Sequence, residues 1–349
     1  MESSNQYVNV AVDAMGGDHA PEQIVKGTLL ALSQNKRVKV YLVGQQTAIY
    51  EHLQNETYDV DRLEVVDAHE IIETAEPPVM AIRKKKDSSL VRALRLVKEG
   101  TCTAFVSAGS TGAVLVGGHV LIGRLPGVER PPLAPLIPTQ KGVTLLIDCG
   151  ANVDARASHL IQFAQIGSIY MEYVMGVKNP TVGIVNIGAE EEKGNALVKE
   201  AFPLLKACEN INFVGSVEAR DIPFGAVDVA VCEAFVGNVI LKTYEGVGAV
   251  LLKKVKEGMM TSLRSKLGAL MVKPALKKTL KSFQTQEYGG APLLGLNGLV
   301  VKTHGSSKAG EIKNSILQCV VFHDQKINQR LQEKLPFTTA KQSEAKTNE

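Results

Sequence analysis

Several short stretches of this sequence gather small, polar and charged residues in patterns suited to holding an anion. Asp13-Ala14-Met15-Gly16-Gly17-Asp18-His19 places two carboxylates and a histidine around a glycine pair. Glycine permits positive φ or the close approach of a second backbone. The plainer reading of that stretch is a tight turn with Asp18 as its cap. Ser107-Ala108-Gly109-Ser110-Thr111-Gly112-Ala113 would open a helix with free N–H groups and hydroxyls aimed at one spot, which favours an anion. Close helix–strand packing is the alternative there, and no Gly-Lys-Ser/Thr follows to make it a nucleotide P-loop. Ile187-Gly188-Ala189-Glu190-Glu191-Glu192-Lys193-Gly194-Asn195 sets a lysine beside glycine and asparagine at a helix start, against the alternative of a solvated charged loop. Asp148-Cys149-Gly150-Ala151-Asn152 and His304-Gly305-Ser306-Ser307 are two further polar turns. Cys149 is the tempting nucleophile, yet a cysteine after an apolar strand is usually a small core residue, and no histidine adjoins it.

Each of these stretches follows an apolar run of strand character. The strands are expected at Val8 to Ala14, Val38 to Val43, Leu63 to Val66, Ala104 to Ser107, Val143 to Asp148, Thr181 to Asn186, Ile211 to Val214, Asp228 to Cys232 and Leu299 to Thr303. Most are continuously apolar rather than alternating, as in strands covered by helices on both faces. Helical patterns lie between them, including Pro21 to Leu32, a helix capped by Asp87 and running to about Lys98, and Ser110 to Arg124. The expected fold is a three-layer α/β/α unit around a largely parallel sheet, over residues 1–336, with a polar, disordered tail at 337–349. Ligands of such folds sit at the carboxyl ends of strands, so the polar turns should converge on one edge. Gly237 to Phe283 is longer than a crossover needs. It reads as a helical hairpin, about 240–288, that turns at Lys273-Pro274.

Composition narrows the class. The 349 residues carry 39 Lys+Arg against 36 Asp+Glu, a net +3, which gives no case for a nucleic-acid binder. The five cysteines are dispersed without a C-x-x-C pair, arguing against a disulfide framework or a structural zinc site. Met1 to Asn9 has no apolar signal core, and no uninterrupted apolar run of about 18 residues predicts a transmembrane helix. The cytosol is the expected compartment.

Taken together, the turns resemble those of the bacterial acyl-acyl carrier protein:phosphate acyltransferases of phospholipid synthesis. The resemblance opens at Val10-Ala11-Val12-Asp13-Ala14-Met15-Gly16-Gly17-Asp18-His19-Ala20-Pro21 and runs through Arg83-Lys84-Lys85-Lys86-Asp87-Ser88-Ser89, Ser107 to Ala113 and Asp148 to Asp154. It continues through Lys193-Gly194-Asn195, Val217-Glu218-Ala219-Arg220-Asp221, Tyr288-Gly289-Gly290-Ala291 and His304-Gly305-Ser306-Ser307, covering about residues 7 to 335. Three positions depart: Ser110 stands where that family usually has Asn, and Glu233-Ala234 where it usually has Asp-Gly.

The resemblance implies a fold like that of phosphotransacetylases and isopropylmalate dehydrogenases. It implies transfer of a long-chain acyl group from acyl carrier protein to inorganic phosphate, a homodimer, and no organic cofactor. The acyl phosphate would pass to a membrane glycerol-3-phosphate acyltransferase. Such chemistry needs placement and oxyanion stabilisation more than a strong base. Lys193 and Asn195 are the expected charge stabilisers, and Asp13 and His19 the groups that shape the site or move a proton. Gly16, Gly17, Asp18, Ser107, Gly109, Ser110, Thr111, Gly112, Asn152, Gly188, His304, Gly305 and Ser306 are the expected phosphate or substrate contacts. The rivals are a phosphotransacetylase using acyl-coenzyme A, a dehydrogenase on a related scaffold, and a non-catalytic module that binds lipid or carrier protein.

The hairpin carries two further expectations. Val247, Val250, Leu251 and Val255 are apolar residues suited to a homodimer contact. Leu263, Leu267, Leu270 and Met271 make one helical face, followed by Val272, with Leu276, Leu280 and Phe283 as a second stripe. Arg264, Lys266, Lys273, Lys277, Lys278 and Lys281 surround them, a pattern that suits reversible contact with an anionic membrane surface.

Overall fold

The computed structural model describes residues 7–282 and 288–335. Its strands are β1 (Val8–Asp13), β2 (Val38–Gly44), β3 (Leu63–Asp67), β4 (Ala104–Ser107), β5 (Leu136–Thr139), β6 (Gly142–Ile147), β7 (Thr181–Asn186), β8 (Asn212–Glu218), β9 (Val229–Val231), β10 (Ala291–Leu293) and β11 (Leu299–Lys302). The α/β class and the dominance of parallel pairing are as expected. The strands are shared between two sheets, ordered β10-β11-β4-β1-β2-β3 and β5-β6-β9-β7-β8. Val8, Val10 and Val12 of the first and Leu145, Ile147 and Val182 of the second belong to one hydrophobic cluster, which makes the two sheets one packing unit.

The strands that the apolar pattern did not reveal are β5 and β10. Each carries a proline (Pro138, Pro292), pairs antiparallel with β6 or β11, and lies at a sheet edge. Proline cannot donate to the ladder, so an edge is where it is tolerated. Among helices, Ser88 rather than Asp87 caps Ser89–Lys98, its hydroxyl accepting the Val91 N–H at 3.4 Å. Asp87 instead accepts from Arg92 and pairs with His69, each at 2.8 Å. The expected Ser110 to Arg124 helix is Thr111–Gly117 continued by a π turn, Gly118–Ile122, with Ser110 as cap.

The hairpin consists of helices Ala234–Met259 and Leu263–Ser282. The chain turns at Met260 to Ser262, not at Lys273-Pro274, and Pro274 lies inside the second helix. Ser262 Oγ accepts the Ser265 N–H at 3.1 Å in the manner of an N-cap, which makes this the turn. The first helix has the length and composition to cross a membrane, with mean hydropathy 1.3. Its first turns, however, are fixed to the second sheet. Val236, Ile240, Leu241 and Tyr244 pack on Ile137, Leu146 and Val217, and the Tyr244 hydroxyl donates to the Pro138 carbonyl at 2.6 Å. Beyond them Val247, Val250 and Leu251 are exposed. The expected tail, 337–349, and Phe283 lie outside the described residues.

Candidate active site

Three adjacent parallel strands of the first sheet, β11, β4 and β1, end side by side. Lys302 pairs in register with Ser107, and Val12 with Val106, so Lys302, Ser107 and Asp13 form a row across the last step of the sheet. Side chains alternate along a strand, so this row shares the face of Val300, Phe105 and Ala11, which lie in one apolar cluster. All three polar residues are buried. The Ser107 hydroxyl donates to Asp13 Oδ2 at 2.7 Å and accepts the Gly109 N–H at 2.9 Å. The Met15 N–H donates to Asp13 Oδ1 at 3.3 Å. Lys302 Nζ donates to the carbonyls of Ala108, at 3.4 Å, and Thr303.

The turns that follow these strands cross one another. The Asp18 N–H donates to the Gly305 carbonyl at 2.8 Å. A Cβ on Gly16 would stand 2.5 Å from Asp13 Oδ2 and 2.7 Å from the Gly109 nitrogen. Gly17, at φ 104°, faces Ala108 and Gly305 in the same way. Only glycine lets the three backbones come this close. Asp13, Gly16, Gly17, Asp18, Ser107, Gly109 and Gly305 are therefore brought together as expected, with Ser110, Thr111, Gly112, His304 and Ser306 on the same turns. The Ser110 hydroxyl is turned to the Ala113 N–H as a cap, and His304 Nδ1 lies 2.8 Å from Ser306 Oγ. Asp18, His19 and His304 are exposed at the rim.

Burial governs the electrostatics of the row. It raises the Asp13 carboxyl above the usual carboxylate range, opposed by hydrogen bonds from Ser89 and Ser107. It pushes the Lys302 ammonium down to about 8, opposed by the charge of Asp13. Lys302 thus remains a cation at neutral pH. The apolar strand Leu299-Val300-Val301-Lys302 closes on this residue, and the sequence alone did not mark it as part of the site. Its one sequence signal was a lysine ending an otherwise apolar run.

The second sheet contributes different turns. After β6, the buried Asp148 carboxylate accepts N–H groups of Leu133 (2.9 Å), Ala151 (3.3 Å) and Asn152 (2.7 Å) and the Asn152 side-chain amide (2.7 Å). That amide also donates to the Pro131 carbonyl, so Asn152 ties this turn together rather than presenting a free amide. After β7, Lys193 Nζ lies beside Gly188 and pairs with Glu190 at 2.8 Å. Asn195 caps the helix Ala196–Lys206, accepting the Val198 N–H at 2.9 Å. No hydrogen bond or ion pair among the described residues joins the Lys193 turn to the first-sheet turns. Glu233 caps the long helix by accepting the N–H groups of Phe235 and Val236. Its place at the Asp-Gly departure is thus a structural one. The same helix carries Lys242, whose charge reaches both Lys302 and Cys149.

The buried thiols after β6 and β9 are poor nucleophiles. Burial pushes Cys149 up to about 12 and raises fully buried Cys232 as well. No group of three His, Cys, Asp or Glu among the described residues is placed to hold a metal. A cavity of ≈ 470 Å³ lined by Cys102, Thr103, Leu299, Cys319 and Asn328 opens at the amino ends of β4 and β11, the edge opposite the crossing turns.

Comparison with known proteins agrees with this architecture. The family model described as fatty acid synthesis protein matches residues 8–330. A phosphate acyltransferase of Clostridium perfringens is 49% identical over 328 residues, 94% of this chain and 97% of that protein. A phosphate acyltransferase of Clostridium botulinum is 48% identical over 326 residues, 93% and 97%. Among solved structures, a phosphotransacetylase from Streptococcus pyogenes aligns with TM-score 0.59 at 15% identity, over 91% of this chain and 94% of that one. The EutD phosphotransacetylase from Staphylococcus aureus aligns with TM-score 0.54 at 17% identity, over 90% and 94%. At such identities these two show the fold alone.

Proposed function

The chain belongs to the fatty acid synthesis protein family, and from that membership we propose that it moves a long-chain fatty acyl group from acyl carrier protein to inorganic phosphate. The product is an acyl phosphate for phospholipid synthesis. The relatives named phosphate acyltransferase support the reaction class. The observation in the structure that supports it best is the crossing of three polar turns over a buried cation, a setting for an anionic acceptor. A phosphate oxygen attacks the thioester carbonyl, the new C–O bond forms, and the C–S bond breaks. The carrier's thiolate leaves and takes up a proton from solvent. With Cys149 and Cys232 held as neutral thiols, direct transfer is favoured over an acyl-cysteine intermediate.

The test is phosphate-dependent consumption of acyl-acyl carrier protein, with hydroxylamine trapping the acyl phosphate as a hydroxamate. Hydroxamate is expected only when phosphate, chain and donor are all present. Equal or faster turnover of acyl-coenzyme A would move the reading to a phosphotransacetylase. Nicotinamide reduction would move it to a dehydrogenase, and no product from any donor to a binding module.

The hairpin supports two proposals that fit this function. The exposed Val247, Val250, Leu251 and Val255 of its first helix suit a homodimer contact. On the second helix Leu263 and Met271 are 80% and 82% exposed, and Leu267, Leu270 and Val272 are also exposed. With the turn at Met260 to Ser262, this stripe runs along the helix for about 14 Å instead of marking a tip at Pro274. Arg264, Lys266, Lys273 and Lys277 flank it, which suits peripheral, salt-sensitive contact of a cytoplasmic enzyme with an anionic membrane. Such contact would deliver acyl phosphate to a membrane glycerol-3-phosphate acyltransferase. A Leu267→Asp, Leu270→Asp double variant should stop co-sedimenting with anionic vesicles. It should keep its activity on soluble donor and scatter light as twice the 37.5 kDa chain. Unchanged sedimentation would remove the membrane proposal, and a monomeric mass for the wild type would remove the dimer.

A further inference from the structure

The buried cation beneath the crossing turns is held in a way that the phosphate reading alone does not explain. Lys302 closes β11 on the same row as Ser107 and Asp13, is 8% exposed, and spends its hydrogen bonds on two backbone carbonyls. Those carbonyls belong to different turns: Ala108 to the turn after β4 and Thr303 to the turn after β11. A lysine kept out of water at a strand end is costly unless something compensates it. Here the compensation is local. Asp13 lies on the same row, and Ser107, between them, is oriented by its bond to Asp13. The hydroxyl of buried Thr303, beside Lys302, has no hydrogen-bond partner, so this corner of the site keeps an unmet polar group.

We propose that Lys302 is a positioning residue of the phosphate site. Its ammonium ties the turn after β4 to the turn after β11 and gives the crossing the positive potential that phosphate meets. The inference rests on the phosphate acyltransferase reading and names how that site holds its acceptor. The lysine acts through the Ala108 and Thr303 carbonyls and through its charge; no contact with phosphate is required of it. Two carbonyls drawn inward by the ammonium fix the backbone on which Gly109, Ser110, His304 and Gly305 stand. The charges facing Lys302 are Asp13 from β1, Asp18 from the turn after it and Lys242 from the long helix. The two carboxylates favour the protonated lysine, and Lys242 opposes it.

The pH dependence follows with a definite sign. Burial has moved the lysine down to about 8, so the ammonium is present at pH 7 and is lost as pH rises through 8. Phosphate only gains negative charge as pH rises, so its own ionisation does not produce a weakening of this sign. Wild-type KM for phosphate should therefore rise between pH 7.5 and 9, about tenfold in all. Lys302→Met should show that weakened phosphate KM already at pH 7, with kcat and the KM for the acyl donor changed far less. Lys302→Arg keeps its charge at every accessible pH. It should recover most of the phosphate affinity and remove the alkaline rise. Calorimetry with inorganic phosphate alone gives the same comparison without any acyl donor.

A folded Lys302→Met protein with wild-type phosphate KM would overturn the proposal. So would a wild-type phosphate KM that stays flat from pH 7 to 9, a measurement that decides the matter even where Lys302→Met does not fold. An alkaline rise that persists unchanged in Lys302→Arg would also overturn it, since the titrating group would then lie elsewhere. Wild-type protein that binds phosphate but makes no acyl phosphate from any donor would instead count against the reaction assigned above, leaving the role of Lys302 to the binding comparison.

Discussion

Gly16→Ala should lower phosphate-dependent acyl transfer by about 100-fold while most of the fold survives. The added Cβ would lie 2.5 Å from Asp13 Oδ2, 2.7 Å from the Gly109 nitrogen and 3.0 Å from the Gly109 Cα. Two of those atoms are backbone, and the third is a carboxylate oxygen already held by Ser107. None is the free end of a flexible side chain. The turn after β1 must therefore move away from the turn after β4. A displacement of about 1 Å in a reacting constellation costs on the order of 10²-fold in rate. The strands beneath keep their ladder and apolar packing, so the circular dichroism spectrum should be unchanged and the melting temperature lowered. Activity within threefold of wild type would mean that the crossing of these turns is not part of the reacting site. The same measurement on Gly100→Ala separates a crowded site from a strained backbone. Gly100 has a positive φ of 80° but nothing within 4 Å, so stability should fall there while turnover does not.

The part of this site carried by local pattern is legible in the sequence. Asp13 ends an apolar strand that Gly16 and Gly17 follow, and Ser107 ends another that Gly109 follows, so residue type and position relative to a strand end are enough. Lys302 was not legible, because a lysine that ends a strand ordinarily reaches solvent. Only the register between β11 and β4 shows that this one stands beside Ser107 within the sheet. Asn152 and Asn195 show the converse. An asparagine after a strand suits a ligand contact and a cap equally well, and the hydrogen bonds to Asp148, Pro131 and Val198 show the structural use of each. At the hairpin, the general cost of proline in a helix pointed to Lys273-Pro274. The cap at Ser262 set the turn instead, and Pro274 was accommodated in an exposed helix. The two edge strands were hidden for the same reason in reverse, since Pro138 and Pro292 weaken the strand pattern that they occupy.

Lys193→Ala is expected to reduce turnover by about 10²–10³-fold with an unchanged melting curve. Lys193 follows β7 on an exposed turn, beside Gly188 and paired with Glu190. The hydrogen bond to Glu190 raises its pKa above the ordinary lysine value, so the side chain is an ammonium throughout the working range. A cation on a solvent-facing turn, paired with an exposed carboxylate, adds little to stability, because water screens the pair. A large loss of turnover on its removal would therefore come from charge that it stabilises in the reaction and not from the fold. The attack of phosphate on a thioester places negative charge on the carbonyl oxygen, and removing one donor to such an oxyanion costs about 10²–10³ in rate. Asn195 caps the following helix, and Gly194, at φ 107°, sets the chain between the two. The lysine is thus held on a short, shaped turn at the carboxyl edge of the second sheet, while the row of Lys302, Ser107 and Asp13 belongs to the first. The effect should appear in kcat with phosphate KM nearly unchanged, the opposite split from that expected of Lys302. Glu190→Gln supplies the control. Releasing the ammonium from its carboxylate should leave turnover equal to or above wild type if Lys193 leaves Glu190 to meet the oxyanion. A fall as deep as that of Lys193→Ala would show that the ion pair itself, and not the free cation, matters. Turnover of Lys193→Ala within twofold of wild type would return the residue to an ordinary solvated loop.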